Sequence, residues 1–143
     1  MTARAGQGNE ELYYGRAKRD WAAMLRVTEA YLAECAAGNC ETDYTAVNHR
    51  IDRERLPAFR FDREADRAAM GRLLGEISVW SYEDHGIMLS ALVRQSGGTS
   101  VGKGFWTLAE ELGAVPEGLT PRQKSVELKR LTRAVKDHYR QSR

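Results

Sequence analysis

The chain has 143 residues, of which 42% are hydrophobic and 29% are charged, and its formal net charge is +2 at pH 7. This length and composition predict one globular domain with its own hydrophobic core. No run of 18 apolar residues is present, which argues against a membrane-spanning helix. The polar first residues lack the apolar stretch of a secretory signal, which predicts a cytoplasmic protein.

Charge is distributed unevenly along the chain. Residues 120–143 carry eight Lys or Arg and two acidic residues, whereas residues 1–119 carry 14 basic and 18 acidic residues. The C-terminal segment is therefore +6 and the remainder −4. This asymmetry indicates an anionic partner for the C-terminal segment, or docking of that segment on the acidic remainder.

Residues 1–8 are small and polar and are predicted to be disordered, and residues 9–143 form the predicted domain. A long first helix is predicted over residues 9–36, ended by Gly38. Its apolar seam has alternating spacings of three and four and consists of Tyr14, Ala17, Trp21, Met24, Thr28, Tyr31 and Cys35. The seam favours packing on the protein's own core. A homodimer through residues 14–35 is the alternative, for which Ala, Thr and Cys are poor contact residues.

Residues 42–113 are predicted to form the centre of the domain. Thr42 or Asp43 caps a short helix that ends before Pro57, and a further helix is predicted over residues 63–83. The apolar run at 87–93 is the best strand candidate in the chain, and a glycine-rich loop follows it at 96–104. A short helix is then predicted over residues 105–112, ended by Gly113.

These elements predict a mostly α-helical fold with a small β element, of the α+β class. A winged helix-turn-helix core, flanked by long N- and C-terminal helices, is one interpretation. In it, residues 44–53 and 63–82 form the paired helices and the loop at 95–104 is the wing. A wing requires two paired strands, however, and the sequence offers only one convincing strand.

A resemblance covers roughly residues 42–113. The strings LGEIS at 74–78, GIMLSALV at 86–93, GKGFW at 102–106 and ELG at 111–113 carry it. In these strings the chain resembles a group of small bacterial proteins of unassigned function. The resemblance implies a recurring domain and brings no activity, cofactor or site residue with it.

The glycine loop also fits a phosphate-binding pattern. Residues 97–103 match G-x-x-x-x-G-K, and they lie between a predicted strand and a predicted helix, which is the context of a P-loop. Gly104 stands where that motif requires a Ser or Thr hydroxyl for magnesium. Only 39 residues follow, and they are predicted to be helical, so no parallel sheet can be completed. A nucleotide-binding enzyme is therefore only an alternative interpretation. A second alternative is a glycine loop that contacts a phosphate through Lys103 without forming a P-loop.

No cofactor or metal site is predicted. The two cysteines, Cys35 and Cys40, have a C-x4-C spacing that matches no strong metal signature.

The final helix, predicted over residues 120–141, carries the most specific signal. Thr120, Pro121 and Gln123 form its capping box. At 100° per residue, one arc of 80° contains Leu128, Leu131, Val135 and Tyr139, and another arc of 80° contains six basic residues. The basic arc contains no acidic residue and consists of Arg122, Lys129, Arg133, Lys136, Arg140 and Arg143.

This basic stripe predicts a non-catalytic module that binds the phosphates of a nucleic acid. Lys103, Arg50 and Arg53 are predicted to add contacts. The alternative is an adaptor, or a dimerising subunit of a larger assembly, whose stripe docks on an acidic protein. A role at a membrane surface is disfavoured because the opposite helix face lacks Trp and Phe anchors.

Overall fold

The computed structural model of the protein describes residues 12–95, 98 and 100–141. The predicted disorder of residues 1–8 lies outside these residues. Within them the fold is mostly helical with small β elements, which confirms the α+β class.

The chain enters the fold as a β-hairpin. Strands β1 (Leu12–Tyr13) and β2 (Arg16–Ala17) pair in antiparallel fashion around Tyr14 and Gly15, which have φ values of 56° and 85°. Helix α1 then spans Lys18–Ala37. The prediction that this helix begins near residue 9 was therefore wrong, because two consecutive left-handed residues form a tight hairpin turn through which a right-handed helix cannot continue.

The predicted seam of α1 faces the interior of the protein. Trp21, Met24 and Thr28 are buried, and Leu32 and Ala36 continue the buried face toward the end of the helix. These side chains contact the protein's own core, and the helix packs on the final helix of the chain.

Two further helices follow α1 in the order that the sequence predicted. Strand β3 (Thr42–Asp43) leads into α2 (Tyr44–Arg53), and the Asp43 carboxylate accepts a hydrogen bond of 2.8 Å from the backbone N–H of Ala46. Helix α3 spans Glu64–His85 and ends at Gly86, which adopts a left-handed φ of 71°. The helix therefore begins within one residue of its predicted start, and Arg63 takes the N-cap position.

The predicted strand at 87–93 is largely absent. Residues Leu89–Leu92 form a 3-10 turn, and only Val93–Arg94 forms a strand, β4. Serines of α3 supply the bonds that a neighbouring strand would otherwise make: Ser81 Oγ accepts from Leu89 N at 3.1 Å, and Ser78 Oγ accepts from Ser90 N at 2.9 Å. The run is buried on every side, and side-chain hydroxyls satisfy its backbone there.

Strand β4 pairs with β3 in parallel, with Thr42 opposite Val93 and Asp43 opposite Arg94. The described strands thus form two separate pairs, each two residues long. The 3-10 turn that precedes β4 packs against α1, α3 and the final helix, so it lies at the centre of the core.

The last two helices begin and end close to their predicted positions. Helix α4 spans Lys103–Leu112 and ends at Gly113, whose φ is 78°. Helix α5 spans Pro121–Gln141. Its capping box is formed in both directions: Thr120 N donates to Gln123 Oε1 at 2.8 Å, and Gln123 N donates to Thr120 Oγ1 at 3.2 Å. Within the described ranges, no helix is long and apolar enough to span a bilayer.

A buried ion pair fixes the hairpin to the helical body. The guanidinium of Arg16 lies 3.2 Å from the carboxylate of Asp66 and also donates to the carbonyls of Pro57 and Ala58. Burial by itself would raise the pKa of Asp66, but the bonds from Arg16 and from Arg60 N outweigh it and hold the pKa of that carboxyl below its ordinary value. The hairpin is therefore an integral part of the folded domain.

Candidate anion-binding groove

Helix α5 docks through one face and displays its charge on the next. Leu131 and Val135 are buried in the core, which sets the rotation of the helix. Four residues of the predicted basic stripe then line a single open groove with a volume of about 330 Å³, and these are Lys129, Arg133, Lys136 and Arg140. The structure therefore brings together the central part of the stripe, as its spacing predicted.

Other parts of the chain complete this groove. Its remaining lining residues are Asn39, Glu41, Arg94 and Thr132. We call the surface formed by these eight residues the basic groove. Five of them are cationic and one is a carboxylate, so the groove has an excess of positive charge. Arg94 and Glu41 were not predicted as site residues, because neither has a neighbour in sequence that marks it as part of a site.

Arg94 is the most firmly held cation of the basic groove. It is half-buried at the end of β4, and its guanidinium donates to the carbonyl of Ala91 and, at 3.2 Å, to Thr132 Oγ1. The Thr132 hydroxyl in turn donates to the same carbonyl at 3.2 Å. Burial lowers the pKa of Arg94 while the nearby Glu41 acts in the opposite direction. A guanidinium remains protonated under these conditions, so Arg94 is a fixed positive charge.

Glu41 is the internal counter-ion of the groove. Its carboxylate pairs with the ammonium of Lys136. The hydrogen bond from Lys136 holds the pKa of Glu41 below its ordinary value, and Arg94 contributes a smaller effect in the same direction. One cation of the groove is therefore already paired with a carboxylate of the protein itself.

The other cations differ in how they are paired. Arg140 pairs with Asp137, three residues before it on the same helix. For Lys129 and Arg133, which are both exposed, no carboxylate of the described residues lies within ion-pair distance. These two side chains are therefore the most accessible positive charges of the basic groove.

Some predicted site residues lie elsewhere. Arg122 is exposed on the same face of α5 but seven residues before the groove, which it does not line. Arg143 lies outside the described residues. Lys103 is exposed at the first residue of α4 and lines neither the basic groove nor a larger groove between α3 and α4.

The two predicted arginines of α2 are also separate from the basic groove. Arg50 lies 3.4 Å from the carboxylate of Glu34 and stacks over the ring of Tyr31, with 4.7 Å between guanidinium carbon and ring centroid. Arg53 is exposed at the last residue of α2.

The predicted P-loop at 97–103 falls partly outside the described residues, at Gly97 and Thr99. The strand before it, β4, is two residues long and pairs with β3. Of the loop itself, the backbone N–H of Gln95 donates to the carbonyl of Ser100 at 3.0 Å. Among the described residues, no group of three or more His, Cys, Asp or Glu is placed to hold a metal ion, and Cys35 and Cys40 are free thiols.

Comparison with known proteins does not connect the basic groove to any family. No family model matches the chain, and no curated protein or solved structure is detectably similar to it. The resemblance of residues 42–113 to small bacterial proteins stays a prediction.

Proposed function

We propose that the protein is a non-catalytic nucleic-acid-binding module that holds phosphate groups in the basic groove. The observation that supports this function best is the convergence of five cations, from β4 and α5, on one groove that contains a single carboxylate. Phosphates of a duplex follow one another at about one charge per 1.7 Å of helix axis, so a compact cluster of cations contacts several of them at once.

The length of the basic face supports a polymeric ligand. Arg122 continues the face of the groove residues toward the start of α5, and Arg140 lies 18 positions after it. At a rise of 1.5 Å per residue, these two side chains are separated by about 27 Å along the helix axis. A single phosphate would use only part of this face, whereas a nucleic-acid backbone would use all of it.

The proposal does not depend on a wing. The winged-helix interpretation requires a second strand paired with the one before the loop, and in the described residues that strand, β4, pairs in parallel with β3 at Thr42–Asp43. The groove and the exposed face of α5 are sufficient to contact a phosphate backbone, because such contacts position a protein without reading bases.

The test is the salt dependence of binding to a labelled 20-base-pair DNA duplex and to a single-stranded RNA. Fluorescence anisotropy between about 50 and 200 mM salt is expected to give a log–log slope of about −3 to −4 for the duplex, since about four phosphates are contacted. Charge reversal in the triple variant Arg133→Glu, Lys136→Glu, Arg140→Glu is expected to reduce affinity by about 100-fold or more and to flatten the slope.

A matched control carries the same change in charge on another surface. Lys18, Arg19 and Arg26 are exposed on α1 and do not line the basic groove. The triple variant Lys18→Glu, Arg19→Glu, Arg26→Glu is expected to retain most of the affinity. Absence of binding at about 50 mM salt, or an equal loss in both triple variants, would contradict the proposal. Polyglutamate that binds as tightly as the duplex would indicate an acidic protein partner instead.

A further inference from the structure

A second groove lies between α3 and α4 and has a volume of about 830 Å³. Its α3 side is one helix face whose residues recur every three or four positions, from Ala68 to Glu83. At 1.5 Å per residue this face is about 22 Å long, so the groove is elongated rather than round. We call it the interhelix groove. It shares no lining residue with the basic groove.

Two glycines of α3 line the interhelix groove, and we refer to this pair as its glycine floor. Gly71 and Gly75 are four residues apart within α3, and both line the groove. A Cβ atom at Gly71 would meet no atom within 4 Å, and at Gly75 it would meet only Leu108 at an ordinary 3.8 Å. Glycine is unfavourable inside a helix, and the packing of this domain does not require it at Gly71. A face with this spacing of small residues allows the backbone of another helix to approach closely.

The walls of the interhelix groove are apolar and aromatic. Val79 and Trp80 continue the α3 face, and Phe105 and Leu108 stand on α4. Trp80 is 44% exposed, which is unusual for a side chain of its size within a helix that packs on the core. Aromatic residues at the edge of an apolar groove are typical anchors of protein–protein contacts.

The rim carries the opposite charge to the basic groove. Glu76, Glu83 and Glu111 line the opening, together with one cation, Arg72. The guanidinium of Arg72 lies 3.5 Å from the carboxylate of Glu76, so these two charges offset each other. Glu83 and Glu111, one on each wall, leave the rim with negative charge on both sides.

We propose that the interhelix groove binds an amphipathic α-helix of a partner protein, about four turns long, with Lys or Arg residues flanking its apolar stripe. The length of the groove, its glycine floor and its acidic rim each match this occupant. The α5 helix of a second copy of this chain does not match, because its apolar residues Leu131 and Val135 are buried in its own core. This inference is independent of the proposed binding of nucleic acid.

The probe for this proposal is a display library of 16-residue peptides with a helix-favouring framework and randomised surface positions. The full-length protein is the target, and the variant Gly71→Trp, whose side chain fills the open floor, is used after the selection to test where the enriched peptides bind. We expect enrichment of peptides with apolar residues at i, i+3 or i+4, and i+7, flanked by Lys or Arg. Their affinity is expected to fall at least tenfold in Gly71→Trp and several-fold in the double variant Glu83→Lys, Glu111→Lys.

Two controls keep the result interpretable. Glu83 and Glu111 are exposed, so their double variant tests the rim even if Gly71→Trp does not fold. The triple reversal of Arg133, Lys136 and Arg140 is expected to leave peptide binding unchanged, which separates this site from the basic groove. Enriched peptides that are acidic, or that bind both rim and floor variants with full affinity, would overturn the proposal, as would a library with no enriched sequence. Self-association abolished by Gly71→Trp would place a second copy there instead and would also overturn it.

Discussion

The carboxylate of Glu41 and the ammonium of Lys136 form an ion pair between residues separated by 95 positions in sequence. The pair lies within the basic groove, where the Lys136 side chain is 14% exposed. A bound phosphate and the Glu41 carboxylate would compete for the same ammonium group. If the groove binds anions as proposed, a residue of the protein itself would partly set their affinity.

Removal of this internal competitor is the first prediction. The variant Glu41→Gln is expected to bind duplex DNA about two- to fivefold more tightly, because a partly exposed ion pair of roughly 0.5–1 kcal/mol no longer opposes the ligand. Its salt slope is expected to steepen by about one phosphate contact. Anisotropy titrations at several salt concentrations measure both quantities.

The matched control is Glu34→Gln, which removes a carboxylate from an ion pair with Arg50 outside the basic groove. That variant is expected to leave the affinity unchanged. Weaker binding by Glu41→Gln would show that Glu41 positions Lys136 for the ligand rather than competing with it.

Asp66 gives a prediction on stability and its dependence on pH. In Asp66→Asn the buried guanidinium of Arg16 loses its counter-ion, which is expected to reduce the free energy of unfolding by about 3–5 kcal/mol at pH 7. The pKa of Asp66 is lower in the folded protein than its ordinary value of about 3.9, so the contribution of this group is fully present above pH 4. It is lost as the pH falls through the folded-state pKa.

Urea unfolding at pH 7, 5 and 3 tests this prediction. The difference between wild type and Asp66→Asn is expected to be constant at the two higher values and to shrink at pH 3. Asp62→Asn is the control, because the pair of Asp62 with Arg60 is exposed and contributes at most about 1 kcal/mol. A difference that grew on acidification would contradict the assignment.

Thr28 is expected to be a site where a substitution stabilises the fold. Its side chain is buried, and its hydroxyl oxygen has no hydrogen-bond partner among the described residues. Valine has nearly the same shape, so Thr28→Val is expected to raise the free energy of unfolding by about 1–2 kcal/mol. Thr132→Val is the contrasting control, since the buried Thr132 hydroxyl bonds with Arg94 and Ala91 and its loss is expected to destabilise by about 1–3 kcal/mol. Equal shifts in melting temperature for the two variants would refute this account.

Two glycines of α3 are expected to respond in opposite directions to alanine. Gly71 lies inside the helix with open space beside it, so Gly71→Ala is expected to stabilise the protein by about 0.5–1 kcal/mol. Gly86 terminates the helix with a φ of 71°, and Gly86→Ala is expected to destabilise by about 1 kcal/mol or more. Chemical denaturation of both variants measures the two changes, and a loss of stability in Gly71→Ala would show that the floor of the interhelix groove is already in contact with other atoms.

The sequence was sufficient to predict a helix start or a helix face when the residues that determine it lie in one short segment. The capping box at Thr120 and Gln123 placed the start of α5, and the spacing of its residues placed Lys129 and Arg133 on one face. Thr42 or Asp43 was predicted to cap α2, and Asp43 is the residue that does so. In each case the residues that determine the structure are within one or two helical turns of one another.

Predictions from the sequence failed where interactions with distant residues, or competing local interactions, determined the backbone conformation. The seam of α1 continued in sequence through Ala17 and Tyr14, but the left-handed residues Tyr14 and Gly15 form a turn there. The apolar run before β4 has no periodicity that separates a strand from a buried turn, and the hydroxyls of Ser78 and Ser81 determine its conformation.

For the same reason the sequence predicted the cations of α5 but neither Arg94 nor Glu41. The basic groove joins residues 39–41, residue 94 and residues 129–140. No sequence pattern in one of these segments indicates that it lies beside the other two.

The basic groove forms only when the chain folds, because the parallel pair of β3 and β4 brings its separate segments together. The two residue pairs between these strands join positions about 50 apart in sequence and hold Glu41 and Arg94 beside α5. An excised α5 peptide would carry four of the groove's cations but not its concave surface. A polyanion that bound the basic groove would therefore bind the folded chain in preference to the unfolded one and would act as a folding ligand. At a concentration about 100 times its dissociation constant, such a ligand would add about 2.7 kcal/mol to the stability of the whole domain.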